Sequence, residues 1–339
     1  MNILLAVCGS MAIGPNLISM LRDIDYVNKI VGIDIDLENP GRFLVDTFHQ
    51  APKTNNKSYI NFVKNICKIE EVDVILCTST QNSLIPLKKH EKEFNDLGVL
   101  IPGTNLDDLL IANDKGSMLK KLSSLKIKCP DYCIPKTKRD FDYFIDKHNE
   151  VVVKPRISSG SRGFKILEKK YVNDNQNIFD KLNNSPKMNS DEYKKIIVKN
   201  NNLSDIVMME RLYGQDYSIY SLADKGNPLV TIPFKRLNSK EGISLKSEVD
   251  MNIDVIDYVK KIIKSINLDW IVNLQLFLTD DGIPYIYEIN PRVAGSIILT
   301  KGANCNILKY GLDLISNKKL NINKPLYSKM IRYYTEVLV

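Results

Sequence analysis

Val272-Asn-Leu-Gln-Leu-Phe-Leu278, Thr279-Asp-Asp-Gly-Ile283 and Pro284-Tyr-Ile-Tyr-Glu-Ile-Asn-Pro-Arg292 follow one another without a gap. Two apolar runs flank an Asp-Asp-Gly turn, the pattern of a β-hairpin. Side chains alternate across a strand, so Gln275 shares a face with Asn273 and Phe277, and Glu288 shares one with Asn290. If Gln275 and Glu288 pair roughly opposite, three oxygen-bearing side chains converge on one surface. Hard cations such as Mg²⁺ take oxygen ligands, and in phosphate-transfer sites they combine a carboxylate or two with the substrate's phosphates. Pro291 ends the strand, and Arg292 leaves it as a fixed positive charge. On the open face of an ordinary edge hairpin, a Glu and an Asn are simply solvated. What separates the two readings lies upstream.

A chain of 339 residues can form two or three compact units with a substantial core. Its 44% apolar and 26% charged residues describe an ordinary globular balance. No apolar run approaches the ~18 residues of a membrane span. The opening Met1-Asn-Ile-Leu-Leu-Ala-Val-Cys8 carries no basic segment and reads as a strand, not as a secretion signal. Cys8, Cys67, Cys77, Cys129, Cys133 and Cys305 show no CxxC pair or metal-finger spacing, so reduced thiols and a cytoplasmic location are expected. The net charge of +7 is dispersed over many lysines. It suits an anionic small ligand better than nucleic acid, and neither a nucleic-acid nor a membrane partner is expected.

Up to about residue 112, strand and helix patterns alternate: strands at Asn2–Val7, Ile30–Ile35, Val72–Cys77 and Val99–Ile101, helices at Pro15–Leu21, Tyr59–Cys67 and Leu84–Phe94. Such alternation predicts a doubly wound parallel sheet. Glycines after the first strand and acids after the second invite a dinucleotide-binding reading. Gly9-Ser-Met-Ala-Ile-Gly14 lacks the middle glycine of G-x-G-x-x-G, however, so its backbone approaches a pyrophosphate less closely. Loops that help to line a substrate cleft fit better.

One helix is expected over Asp107–Lys121, carrying Lys115. Val151-Val-Val-Lys-Pro155 is a strand containing Lys154, and a lysine in an apolar strand calls for an anionic partner. Arg156-Ile-Ser-Ser-Gly-Ser-Arg-Gly163 then supplies flexible backbone N–H donors suited to phosphates, before Phe164–Leu167 returns antiparallel. The G-K-[ST] ending of a Walker A loop is absent. Residues 173–204 form a polar excursion expected to be exposed and mobile. Strands follow at Asp205–Met209, Tyr217–Leu222 and Leu229–Lys235. Between the first two, Glu210, Arg211 and Leu212 expose backbone groups that can pair with an adenine edge, and Asp216 can accept ribose hydroxyls. Lys240–Ser244 is a loop, Asp254–Ser265 a core-packing helix, Ile307–Ile315 a helix, and Met330–Val337 an edge strand.

Lys115, Lys154 with its Ser/Gly loop, Glu210-x₃-Gly-x-Asp216, Gln275 and Glu288-Ile-Asn-Pro-Arg292, in that order, resemble the ATP-grasp superfamily. The similarity is greatest to the branch related to the carbamoyl phosphate synthetase large subunit, and it covers nearly the whole chain. The resemblance implies an α/β and α+β fold. An N-terminal doubly wound parallel sheet (pre-ATP-grasp, 1–112) would precede a two-subdomain ATP-grasp fold, with a helix and lid subdomain (113–206) and a C-terminal subdomain (207–339). ATP would be clamped between the two subdomains. Lys115 and Lys154 would hold phosphates under a lid of Ser158, Ser159, Gly160, Ser161 and Gly163. Glu210, Arg211 and Leu212 would border the adenine, and Asp216 the ribose. Gln275, Glu288 and Asn290 would ligate Mg²⁺ or Mn²⁺, and Arg292 would steady the transferred phosphoryl group. Two positions depart from the pattern of many relatives: Gln275 replaces a carboxylate, and Asp216 replaces a longer Glu.

The implied chemistry is a carbon–nitrogen ligation. Phosphoryl transfer turns a carboxylate into an acyl phosphate, which an amine attacks, and that requires positioning, charge neutralisation and exclusion of water. Arg236 with Ser244 would bind the acceptor's carboxylate, or Arg236 is a surface arginine. The expected partners are a small carboxylate and a small amine, with a homodimer suggested by the family alone. A phosphorylating or carboxylating relative and a nucleotide-binding regulatory module are the alternatives.

Overall fold

The computed structural model describes residues 1–339 apart from 11, 12, 159, 161, 171–185, 241 and 339. The chain packs as two compact units. One comprises Met1–Asn113, Asp216–Gln275 and Glu288–Val339, the other Asp114–Gln215 and Leu276–Tyr287.

The first unit opens with β1 (Asn2–Ala6), β2 (Lys29–Asp34), β3 (Thr47–Gln50) and β4 (Val74–Cys77), all parallel in the order β3-β2-β1-β4. Both faces of β1 are apolar because both are covered, as a parallel sheet requires. Ile3 and Leu5 pack with Leu17, Ile18 and Leu21 of helix Gly14–Arg22, while Leu4 and Ala6 pack with Tyr59, Val63 and Ile66 of helix Tyr59–Ile69. The doubly wound expectation therefore holds, with two changes. Val99–Ile101 contributes only a single bridge, Val74 to Leu100, and the fourth strand is β3, whose Thr-Phe-His-Gln lacks an apolar run. The helix expected over Leu84–Phe94 is broken into Thr80–Leu84, Ile85–Lys88 and Glu91–Asn95, with Pro86 starting a new turn.

The second unit holds β5 (Tyr132–Cys133), β6 (Val151–Pro155), β7 (Lys165–Glu168), β8 (Lys187–Asn189) and β9 (Ile206–Glu210), in the order β5-β9-β6-β7-β8. Val151, Val153, Leu167 and Met208 bury against Phe141, Phe144 and Ile145 of helix Lys138–Lys147, about 1.5–3 kcal/mol for each side chain fully covered. The helix expected over Asp107–Lys121 is two, Leu106–Asn113 and Lys115–Ser124. Asp114 is extended between them and caps the second, accepting N–H bonds from Gly116 and Ser117. Much of the polar excursion over 173–204 is regular: β8 leads into helix Ser190–Lys199, capped by Asn189, while residues 171–185 lie outside the described part.

The third sheet is β10 (Gln215–Asp224), β11 (Asn227–Lys240), β12 (Ile243–Val249), β13 (Trp270–Leu278), β14 (Pro284–Asn290) and β15 (Lys329–Ile331), ordered β14-β13-β10-β11-β12-β15. The hairpin expected at 272–290 is present as β13 and β14. Its turn is closed by Thr279 N–H to the Ile283 carbonyl at 3.0 Å, with Gly282 at φ +76°. β11 and β12 extend into the expected 240–244 loop, and the expected C-terminal strand shortens to β15. Helix Ile253–Ile266 buries Val255, Val259, Ile262 and Ile263, as its spacing predicts.

Candidate functional site

In the second unit, the Asp114 cap fixes the start of the helix that carries Lys115. Arg156 donates to both Asp114 oxygens, Nε at 3.0 Å and Nη2 at 2.5 Å, and its carbonyl accepts the Lys115 N–H at 3.0 Å. Burial raises the Asp114 carboxyl, but the Arg156 bonds and the capped N–H groups outweigh it and hold its pKa below 3.8. Lys115 is 3% exposed, and its ammonium donates to the Ser158 carbonyl at 2.8 Å. One of the two lysines thus grips the backbone of the Ser/Gly loop.

Lys154, on β6, lies over the Tyr287 ring at 4.4 Å and the Phe164 ring at 5.7 Å. In the loop, Gly160 has φ +66° with open space around it. Gly163 has φ +75°, and a Cβ there would stand 2.6 Å from Pro155 Cγ, so only glycine fits. Ser159 and Ser161 lie outside the described residues. Glu210 closes β9, and its Oε1 accepts the Asp131 N–H at 2.7 Å. Arg211 donates Nη1 to Glu150 at 2.5 Å, so its side chain is held by protein, and Leu212 follows half-buried.

In the first unit, one face of the third sheet changes character along its length. Tyr220, Leu222, Ile232 and Phe234 join the core. Farther along the same face stand Asp216, Ser218, Arg236 and Ser247, as the pairings Ser218 to Phe234 and Arg236 to Ser247 dictate. Arg236 is 8% exposed. It donates Nη1 to Asp216 Oδ2 at 2.9 Å, Nε to Ser244 Oγ at 3.0 Å and Nη2 to the Gly242 carbonyl at 2.9 Å. Asn273 is buried, bonded to Ser218 Oγ at 2.8 Å, and Gln275 lies half-exposed two residues along the same strand face.

Glu288 is half-exposed near the end of β14 and Asn290 is buried, its Oδ1 accepting from Arg292 Nη2 at 3.2 Å. Arg292 Nη1 donates to the Val293 carbonyl at 2.7 Å, and its Nε is buried without a hydrogen-bond partner among the described residues. Burial lowers the pKa of this guanidinium, while Tyr220 and Glu288 act against that. Sequence reasoning missed Arg332. It is half-buried beyond β15, with Nη2 on the Gly295 carbonyl at 2.7 Å and Nε on the Ser244 carbonyl at 3.1 Å. The available signal was a charge inside an apolar and aromatic strand pattern, the reasoning already applied to Lys154.

The structure thus brings Lys115 to Ser158, Asp216 and Ser244 each to Arg236, and Asn290 to Arg292. Gln275, Glu288 and Asn290 offer one carboxylate and two amide oxygens, a donor set suited to a hard divalent cation that keeps water and phosphate ligands. Among the described residues, no group of three or more His, Cys, Asp or Glu side chains could hold a metal. None of their helices is long and apolar enough to cross a membrane.

Residues 202–337 match the family model described as ATP-grasp in the biosynthetic pathway with Ter operon, and residues 10–101 match the PylC-like N-terminal domain. The carbamoyl phosphate synthase large chain of Sulfurisphaera tokodaii is 24% identical over 238 residues, which are 67% of this chain and 21% of that protein. The chain therefore spans about a fifth of the length of that relative. Among solved structures, the biotin carboxylase domain dimer of Hydrogenobacter thermophilus 2-oxoglutarate carboxylase, in complex with MgADP, ADP and bicarbonate, superposes with a TM-score of 0.71 at 14% identity, covering 97% of this chain and 73% of that one. The L-amino acid ligase of Bacillus licheniformis superposes with a TM-score of 0.66 at 15% identity, covering 92% and 73%. At these identities the likeness shows the fold.

Proposed function

We propose, from the premise that this chain belongs to the ATP-grasp superfamily, that it is an ATP-dependent ligase joining a small carboxylate to a small amine. The observation that carries this reading is the end of β14. There a half-exposed Glu288, a buried Asn290 and an arginine whose Nε has no hydrogen-bond partner among the described residues stand within five residues. Such a cluster offers oxygen ligands to a metal-bound triphosphate and a fixed cation to an anion beside it.

A carboxylate oxygen attacks the γ-phosphorus of ATP, and the bond to the β,γ-bridging oxygen breaks, releasing ADP. The amine nitrogen then attacks the acyl carbon, the carbon–oxygen bond to phosphate breaks, and the proton shed by the amine passes to solvent. Mg²⁺ held by Gln275, Glu288 and Asn290 would neutralise phosphate charge. In the second unit, Lys115 and Lys154 are the phosphate-binding groups and Glu210–Leu212 the border of the adenine; in the first, Asp216 is the acceptor for the ribose hydroxyls. Arg292 steadies the transferred phosphoryl group. Arg332 and Arg292 together receive the carboxylate, because the Arg236 guanidinium is already engaged with Asp216, Ser244 and Gly242.

A second reading, phosphorylation of bicarbonate, is favoured by the relative called carbamoyl phosphate synthase and by the bicarbonate in the superposed carboxylase structure. ADP release from ATP, measured against mixtures of carboxylates and amines with and without bicarbonate, tests both. Turnover that requires a carboxylate and an amine together supports ligation, and turnover that requires bicarbonate supports the second reading. MgATP binding with no stimulated release in any mixture overturns both.

A further inference from the structure

We infer that Arg236 is a positioning residue, a clasp that aims Asp216 at the ribose of the nucleotide and fixes the β11–β12 turn against it. The inference rests on the reading that this chain binds ATP with its ribose at Asp216. Tyr217 pairs with Lys235 in antiparallel register, which sets Asp216 and Arg236 side by side on one face. All three guanidinium nitrogens have partners: Nη1 the Asp216 carboxylate, Nε the Ser244 hydroxyl and Nη2 the Gly242 carbonyl. Gly242, at φ +79°, belongs to the turn between β11 and β12, so the arginine ties that turn to the acid.

A guanidinium engaged on every nitrogen and 8% exposed is poorly placed to capture a diffusing carboxylate, whereas its planar fork holds one protein oxygen in a fixed position. Asp216 is one methylene shorter than a glutamate and cannot compensate for a poor approach by flexing. Its reach must therefore be set by whatever anchors it. Arg236 holds Oδ2, and a carboxylate has about four acceptor sites, so Asp216 can take a hydroxyl donor in addition to this contact.

Titration calorimetry of the full chain with MgADP and with Mg-2′,3′-dideoxyADP isolates this contact, because the two ligands differ only in the ribose hydroxyls. The wild-type chain is expected to prefer ADP by about 10- to 100-fold, the usual share of a hydrogen bond to a charged group. Asp216→Ala and Arg236→Ala should each bring that ratio close to 1 while leaving dideoxyADP affinity within about 3-fold, and the double variant should lose nothing more, as for two groups acting as one unit. Arg236→Lys, which keeps the charge and loses the fork, should fall between. A full preference in Arg236→Ala, with the preference lost in Asp216→Ala, overturns the inference and leaves the ribose reading standing. A full preference in Asp216→Ala, or none in the wild type, overturns the ribose reading itself. If Arg236→Ala does not fold, Ser244→Ala removes one strand of the clasp and should reduce the preference, and an unchanged preference there overturns the inference.

Discussion

Asp114→Ala should loosen the helix that carries Lys115, by an amount that the local geometry allows to be worked out. The Asp114 carboxylate caps two N–H groups, and loss of such a cap costs about 1 kcal/mol. It also pairs with Arg156, the two side chains being 14% and 28% exposed. A fully buried pair broken on one side costs about 3–5 kcal/mol and an exposed one about 0–1, so this half-covered pair falls at roughly 1–3. The sum is about 2–4 kcal/mol for Asp114→Ala. Asp114→Asn keeps a capping oxygen and should lose only the pair, roughly 1–3. Urea unfolding followed by pulsed hydrogen exchange of amides 115–124 measures both. The sign with pH is fixed because the folded-state pKa lies below 3.8. The advantage of wild type over Asp114→Asn is fully present above 3.8 and disappears as pH falls through the depressed value. A difference below about 0.5 kcal/mol at neutral pH, the scatter of ordinary surface substitutions, would refute the idea that Asp114 and Arg156 hold this helix in place.

Gly163→Ala, forced to φ +75° with a Cβ against Pro155, should cost about 1–2 kcal/mol or displace the loop root, seen as faster exchange of amides 162–168. Glu288→Gln should raise the Mg²⁺ concentration needed for half-maximal ADP release and lower the maximum by about 100-fold or more, and EDTA should abolish release in the wild type, as checked by coupled assay. Arg332→Ala should raise KM for the carboxylate by about 10- to 100-fold while leaving MgADP affinity unchanged by calorimetry.

Much of what depends on one stretch of chain was readable from sequence, the break at Pro86 and the short strand β3 excepted. The hairpin turn, the helix Ile307–Ile315 and the first strands of the doubly wound sheet each follow from a local period and stand where it puts them. Features decided by a distant partner were not. The apolar spacing of Leu109, Ala112, Met118 and Leu119 runs unbroken past Asp114, so the period does not show that the helix stops, and the only local sign is the capping residue Asp114 itself. The break is fixed by Arg156, 42 residues away. Helix Ser190–Lys199 escaped because its segment is dominated by polar residues, and its apolar Tyr193 and Ile197 pack only partly against the Phe141 cluster.

The same division runs through the candidate site. Glu288, Asn290 and Arg292 announce themselves because they share one strand end. Arg236 can be read either as a surface arginine or as a ligand anchor until the register of β10 against β11 places Asp216 beside it. Arg332 stands out in sequence only as a charge in a strand pattern, and its partner becomes visible when β15 pairs with β12 and carries it to the Ser244 carbonyl, 88 residues away in sequence. Local pattern therefore nominates the groups that could bind a ligand, and register decides which of their polar atoms the protein has already used. A guanidinium with every nitrogen bonded to protein and one with an unpartnered Nε look the same in a sequence. In the folded chain the first is held on every nitrogen, whereas the second keeps a buried Nε with no hydrogen-bond partner among the described residues. On the proposed reading, substitutions at Arg236 and Arg292 should move different constants, the ribose preference for the first and turnover for the second.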